Sequence, residues 1–184
     1  MILNSRSSQF QFIFPKGWFP KSVTDKWDPY VLRMPIPFKN TADVMSMSIQ
    51  SVSFPTITMD PVVQTRPLGK KQEYKNSIPI QDLFTREITI GFRLLEAQIN
   101  YWIILDTLMC HLNFHDKDNQ LYMDECYLRS LDQEGHVVNT AKFDKVYFKN
   151  LSEITFAYSD NNIDFKNFQM TLGFGLMEIF VSES

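Results

Sequence analysis

Arg86–Leu94, REITIGFRL, sets Ile88, Ile90, Phe92 and Leu94 against Glu87, Thr89, Gly91 and Arg93. This period of two predicts a strand with one face in a core. The pattern then changes without a break. In Leu95–Leu112, LEAQINYWIILDTLMCHL, the residues Leu95, Ile99, Trp102, Ile103, Leu105, Leu108, Met109 and Leu112 recur at helical spacing, which predicts one helix with a broad buried face. A strand feeding straight into such a helix restricts the fold to architectures in which a sheet and a helix share one core.

The remainder reads as β structure. Leu121–Leu131 is a strand that turns at Asp132–Gly135, and Val137–Val138 begins the return. Lys142–Phe148 and Leu151–Tyr158 follow, with a turn at Ser159–Asn162. Phe165–Phe180 closes the chain, with Phe168, Met170, Leu172 and Phe174 alternating, and upstream Val44–Phe54 is a predicted strand. Aromatic residues make up 14% of the chain, including 16 Phe, and flat rings pack well on pleated surfaces. The expected class is mainly β: an antiparallel β-sandwich or partly open barrel with one packed α-helix and a long loop or hairpin.

Two segments do not fit a minimal sandwich. In residues 1–43, Pro15, Pro20, Pro29, Pro35 and Pro37 interrupt any long regular element, yet Trp18, Phe19, Trp27, Tyr30 and Phe38 are too aromatic for a free linker. An extended arm is expected there, lying on the domain of residues 44–184 or on a neighbour. The second segment, about residues 56–82, follows the strand that ends at Phe54 and Pro55. It carries Pro61, Pro67, Pro79, Gly69 and the basic residues Arg66, Lys70, Lys71 and Lys75.

Catalytic and cofactor signatures are missing from the sequence. There is no GxxxxGK phosphate cradle and no GxSxG nucleophile turn. His111 and His115 sit at i and i+4 beside Cys110, but a zinc site needs three or four ligands in closed geometry. Asp116–Tyr127 starts like a calcium loop and fails where glycine and glutamate are required, at Leu121 and Tyr127. The expectation is no enzyme, no metal and no cofactor. The basic cluster beside Tyr74 has the composition of a single-strand binder, but in a chain of net charge −3 it reads better as a partner-facing arm. No apolar window approaches 18 residues and Met1–Phe10 is polar, so neither a membrane span nor a signal peptide is expected. Cys110 and Cys126 do not make a disulfide framework. Charge is unevenly spread: residues 1–93 carry twelve Lys and Arg against seven Asp and Glu, residues 94–184 six against fourteen. Opposite-sign surfaces of this kind suit head-to-tail contact between copies.

The order of these pieces resembles the tail tube proteins of contractile-tailed bacteriophages, related in fold to the type VI secretion tube protein, from about Met45 to Phe180. The resemblance is carried by SIQSVSFP (Ser48–Pro55), by the basic stretch RPLGKKQEY (Arg66–Tyr74), by the strand-into-helix segment Glu87–Leu108, and by the run Met123–Asn162 with its Asp-x-x-Gly turn. Thr56 stands where the family has glycine, and the aromatic first 40 residues exceed the usual minimal subunit. The resemblance implies a structural virion protein, made in the host cytoplasm, that assembles into stacked six-fold rings and forms or adapts the tail tube. DNA would pass through the lumen without sequence-specific binding. It implies contacts with other tail, baseplate or neck proteins, and a subunit interface that includes Phe54, Pro55, Arg66, Leu68, Gly69, Lys70, Lys71 and Tyr74. A ring protein that initiates the tube at the baseplate or neck is one alternative. A soluble β-barrel binding module is the other.

Overall fold

The computed structural model describes residues 9–35, 38–56, 62–65, 71–74, 85–112, 123–154 and 166–181. In chain order the first elements are β1 (Phe10–Ile13), α1 (Lys21–Val31), α2 (Thr41–Ser48) and β2 (Ile49–Ser53). Next come β3 (Val62–Thr65), β4 (Lys71–Tyr74), β5 (Glu87–Arg93) and α3 (Ile99–Leu112). The chain continues with β6 (Cys126–Leu131), β7 (Val137–Asp144), β8 (Tyr147–Leu151), β9 (Asn167–Gly173) and β10 (Leu176–Val181). The strands make two four-stranded antiparallel sheets, β1-β6-β7-β10 and β2-β5-β9-β8, plus a separate two-stranded ribbon, β3-β4. This is the expected mainly β sandwich, with no closed barrel among the described residues.

Register explains which faces are buried. In the first sheet Phe12, Leu128, Ala141 and Ile179 stand opposite one another across four strands, with Cys126, Phe143 and Met177 in the parallel row. In the second, Ile88 faces Leu172, Ile90 faces Met170, and Phe92 faces Phe168. Apart from Ile179, which is exposed, both sets belong to one core. Phe92 stacks on Phe168 with ring centroids 5.0 Å apart, and Phe143 meets Phe174 edge-on at 5.0 Å, geometries that add to plain area burial. Helix α3 closes one end of the sandwich, with Tyr101 set edge-on to Phe168 at 5.3 Å.

The N-terminal segment is not the extended arm that its prolines suggest. It supplies an edge strand and a helix, and Phe12, Trp18, Val23 and Val31 are core residues. Pro29 sits inside α1. It removes one hydrogen bond in the final turn, a loss that a buried helix tolerates when tertiary contacts hold it. Here Lys26 Nζ and Trp27 Nε1 both donate to Asp106 of α3, at 2.6 and 2.8 Å, and Thr41 of α2 donates from its N and Oγ1 to Asp28 Oδ1, at 2.9 and 2.6 Å.

The expected strand Val44–Phe54 is half helix. Asn40 Oδ1 accepts from Asp43 N at 2.8 Å, and Asp43 Oδ2 accepts from Lys39 N at 3.2 Å. This near-reciprocal cap nucleates α2, whose buried Thr41, Val44, Met45 and Ser48 follow helical spacing. The strand begins only at Ile49. The third helix also starts later than its hydrophobic period. Ala97 and Gln98 have φ of +54° and +57°, a kink that α3 cannot include, and Asn100 straps the junction by donating to Arg93 O at 2.7 Å while accepting from Leu95 N at 3.2 Å.

Candidate assembly surface

The candidate surface starts where β2 leaves the sheet. Phe54 is half exposed, with its ring 6.1 Å from that of Phe143, and Pro55 beside it is buried. Thr85 N then donates to Thr56 O at 3.2 Å. Thr56 and Thr85, the residues that flank 57–84, are therefore held together. Within 57–84, β3 and β4 pair antiparallel, Val62 opposite Tyr74 and Thr65 opposite Lys71. The ribbon is hydrogen-bonded to neither four-stranded sheet. A lone two-stranded ribbon is marginal in water.

Of the residues expected at an interface, Phe54 and Pro55 thus stand where β2 ends and Lys71 and Tyr74 close the two ends of the ribbon's register. Arg66, Leu68, Gly69 and Lys70 lie outside the described residues. The structure adds a second feature that the expected set lacks. Among the described residues strand β10 is the edge of its sheet, and Ile179, Phe180 and Val181 on it are 60%, 50% and 71% exposed. Ile179 and Val181 share the core-side face of their sheet, while Phe180 points to the other. With Phe54, Leu128 and Ala141 they line a groove of about 400 Å³. The signal was present as three consecutive apolar residues in a strand, which means apolar side chains on both faces.

Charge is arranged differently on the outer faces. On the first sheet Lys142 Nζ lies 2.5 Å from Glu125 and 3.2 Å from Asp144. The hydrogen bonds to Glu125 and then Asp144 hold the Lys142 ammonium well above its ordinary pKa, and the bond from Lys142 lowers that of Glu125. On the second sheet Lys149 pairs with Glu87, Thr89 and Thr171 hydroxyls are 3.3 Å apart, and the Tyr147 ring covers Gly173, where a Cβ would collide with it. None of these groups is buried in the manner of a catalytic acid or base. Cys126 is, but desolvation pushes its thiol up to about 12, so it is an inert core residue. His111 Nε2 is 2.7 Å from Trp18 O, tying the end of α3 to the N-terminal segment.

Solved structures share this arrangement along nearly the whole chain. A chain of the anti-feeding prophage cap, described as the tube-terminating cap, matches with a TM-score of 0.53 at 12% identity, over 99% of this chain and 94% of that one. The chain has a contractile-tail-tube-like fold. A chain of the anti-feeding prophage baseplate matches at 0.55 and 10% identity, over 98% of both. The sheath-tube complex of the extracellular contractile injection system PVC, in its extended state, contains a match at 0.52 and 12%, over 97% of this chain and 93% of that one. No protein-family model matches the sequence, and no curated protein does. The tail-tube-like fold is therefore legible in three dimensions at identities where sequence comparison is silent.

Proposed function

We propose that this chain is a structural subunit of a contractile-tail-like particle. Copies join into stacked rings, six to a ring, that form or adapt the tail tube, through which DNA passes without sequence-specific binding. The observation that carries this reading is the match of the whole chain, N-terminal layer included, to components of cap, baseplate and tube assemblies. The open edges support it. Among the described residues both sheets end in strands with one neighbour, an edge that a monomer exposes at the risk of aggregation and that a ring satisfies by strand addition between neighbours. Both sheets also have an even number of antiparallel strands, so cyclic repetition keeps neighbouring strands antiparallel across every subunit boundary.

The segment of residues 57–84 fits the same reading, as an arm that buries its ribbon against an adjacent subunit. A ring that starts or terminates the tube has its own support, because a cap and a baseplate stand among the similar structures. Negative-stain microscopy of the purified protein separates the two. Single rings indicate an adaptor, long tubes indicate the repeating subunit, and a well-folded monomer at high concentration refutes both. Deleting Pro61–Asn76 should leave the subunit folded by circular dichroism and abolish the assembled species.

A further inference from the structure

Between the first residues of the chain and helices α1 and α2 lies a cleft of about 640 Å³, within the roughly 300–1,000 Å³ of small-ligand sites. One wall is aromatic. Phe12, Phe14, Trp18 and Phe19 line it. Phe14 joins the other three rings, meeting Phe12 and Phe19 edge-on at 5.2 and 5.3 Å and stacking on Trp18 at 6.1 Å. The wall is therefore preformed, fixed by the same packing that puts Phe12 and Trp18 in the core.

The facing wall comes from α1 and α2 and is polar. Among the described residues Asp28 is the only charged one that lines the cleft. Its Oδ1 is engaged, accepting from Thr41 N and Thr41 Oγ1 at 2.9 and 2.6 Å. Its Oδ2 has no partner among the described residues. Gln11 and Ser46 add uncharged acceptors.

This combination selects a ligand class by elimination. Without Lys, Arg or His in the lining, the carboxylate repels a phosphate or a carboxylate ligand. A neutral ligand would take the half-buried Oδ2 out of water with nothing in return. A hard divalent cation wants about six to eight oxygen ligands, and a wall of rings supplies none. An organic cation suits all of the lining. Its charge pairs with Asp28, its N–H groups reach the hydroxyl and amide oxygens, and its hydrocarbon part lies on the rings, whose faces also attract the charge.

We propose that this cleft binds an alkylammonium group, with Asp28 as its counter-ion and the Phe14 and Phe19 side as its apolar wall. The group belongs either to a free alkylamine or to a lysine side chain of an adjoining subunit, and the chemistry recognised is the same. The proposal does not rest on the ring reading.

The test follows thermal unfolding of the full chain in n-butylammonium chloride, against n-butanol and sodium butyrate at matched ionic strength. Butylammonium should raise the midpoint saturably, as a ligand of the folded state does, and the alcohol and the acid should not. Asp28→Asn keeps an oxygen for Thr41 and removes the charge. It should weaken binding about tenfold, the worth of one charge-assisted hydrogen bond. Phe19→Leu leaves the Asp28 bonds untouched and removes a ring, so it should weaken binding while the amine stays preferred over the alcohol. Where a neighbour's lysine already fills the cleft, butylammonium gives no shift, and Asp28→Asn instead eliminates the assembled species with circular dichroism unchanged. Equal responses to amine and alcohol overturn the proposal, as does an amine response undiminished in Asp28→Asn. So does the lack of any amine response in a protein whose Asp28→Asn variant assembles as the wild type does.

Discussion

Replacing Trp18 tests the claim that the N-terminal segment is core. The side chain is 1% exposed, its ring lies 6.1 Å from Phe14, and Phe14 in turn lies 6.5 Å from Phe92 in the second sheet. A buried aromatic of this size removes about 150–250 Å² from water. At ~25 cal/mol/Å² that is about 4–6 kcal/mol, an upper bound because unfolded chains are partly compact. Measured Trp→Ala substitutions in cores cost about 3–5 kcal/mol. Trp18→Ala should therefore lower the unfolding free energy by that amount, much of the stability of a typical domain. Trp18→Phe should behave differently. It keeps the stacking ring and removes a buried donor that has no acceptor among the described residues, whose burial costs about 1–3 kcal/mol, so lost volume and lost penalty nearly cancel. We expect a net change within about 1 kcal/mol. Urea unfolding followed by far-UV circular dichroism measures both variants, at two protein concentrations because assembly adds a concentration-dependent contribution. A Trp18→Ala cost below about 1 kcal/mol with unchanged m would refute the placement of Trp18 in the core. Equal costs for the two variants would mean that the indole N–H is satisfied after all.

Two further outcomes follow from single contacts. Gly173→Ala drives a Cβ into the Tyr147 ring and should cost about 1–3 kcal/mol, as overpacking does, while Tyr147→Ala should relieve the effect in the double variant; additive costs would sink the explanation. Asp106→Asn loosens the α1–α3 junction and should cost about 1 kcal/mol, since Lys26 is largely exposed and the Trp27 bond is the better-shielded part. The hydrogen bond from Lys26 chiefly, with that from Trp27, holds the Asp106 carboxyl below its ordinary 3.8 against the opposing effect of burial. A lowered folded-state value means stabilisation that is present above the unfolded pKa and lost as pH falls through the folded one. Thermal unfolding should thus decline more steeply below about pH 4 in the wild type than in Asp106→Asn, and parallel curves would contradict the assignment.

The parts of the fold legible in sequence are those where one period dominates. Ile88, Ile90 and Phe92 fix β5, and Phe168, Met170 and Leu172 fix β9, because in each strand alternate positions must go inside. Residues 41–54 misled because MSMSIQSVS alternates polar and apolar residues at all but one step, Gln50–Ser51. Val44, Met45 and Ser48 satisfy a helical face equally well, and the choice is made upstream, by the Asn40 and Asp43 cap. The signature lies in NTAD, three residues before any hydrophobic pattern. At the N-terminus the prolines were real boundaries at Pro15 and Pro20, but Pro29 is carried inside a helix by bonds from Trp27 and Lys26 to a residue nearly eighty positions away. No local reading weighs a contact of that range.

The candidate surface was half legible for a related reason. A basic, proline-punctuated stretch announces itself in sequence because its composition does not suit a core, and Phe54 and Pro55 stand where β2 ends and that stretch begins. Strand β10 hides, because Ile179, Phe180 and Val181 look like any buried strand in sequence, whereas among the described residues they are exposed at a sheet edge. Whether an apolar strand is core or interface depends on its place in the sheet, and that place is set by the partners it lacks. β6 and β10 both pair with β7. β6 is flanked on its other side by β1 and buries Cys126, its other residues being mostly half-buried; β10 has no second neighbour among the described residues and is exposed from Glu178 to Val181.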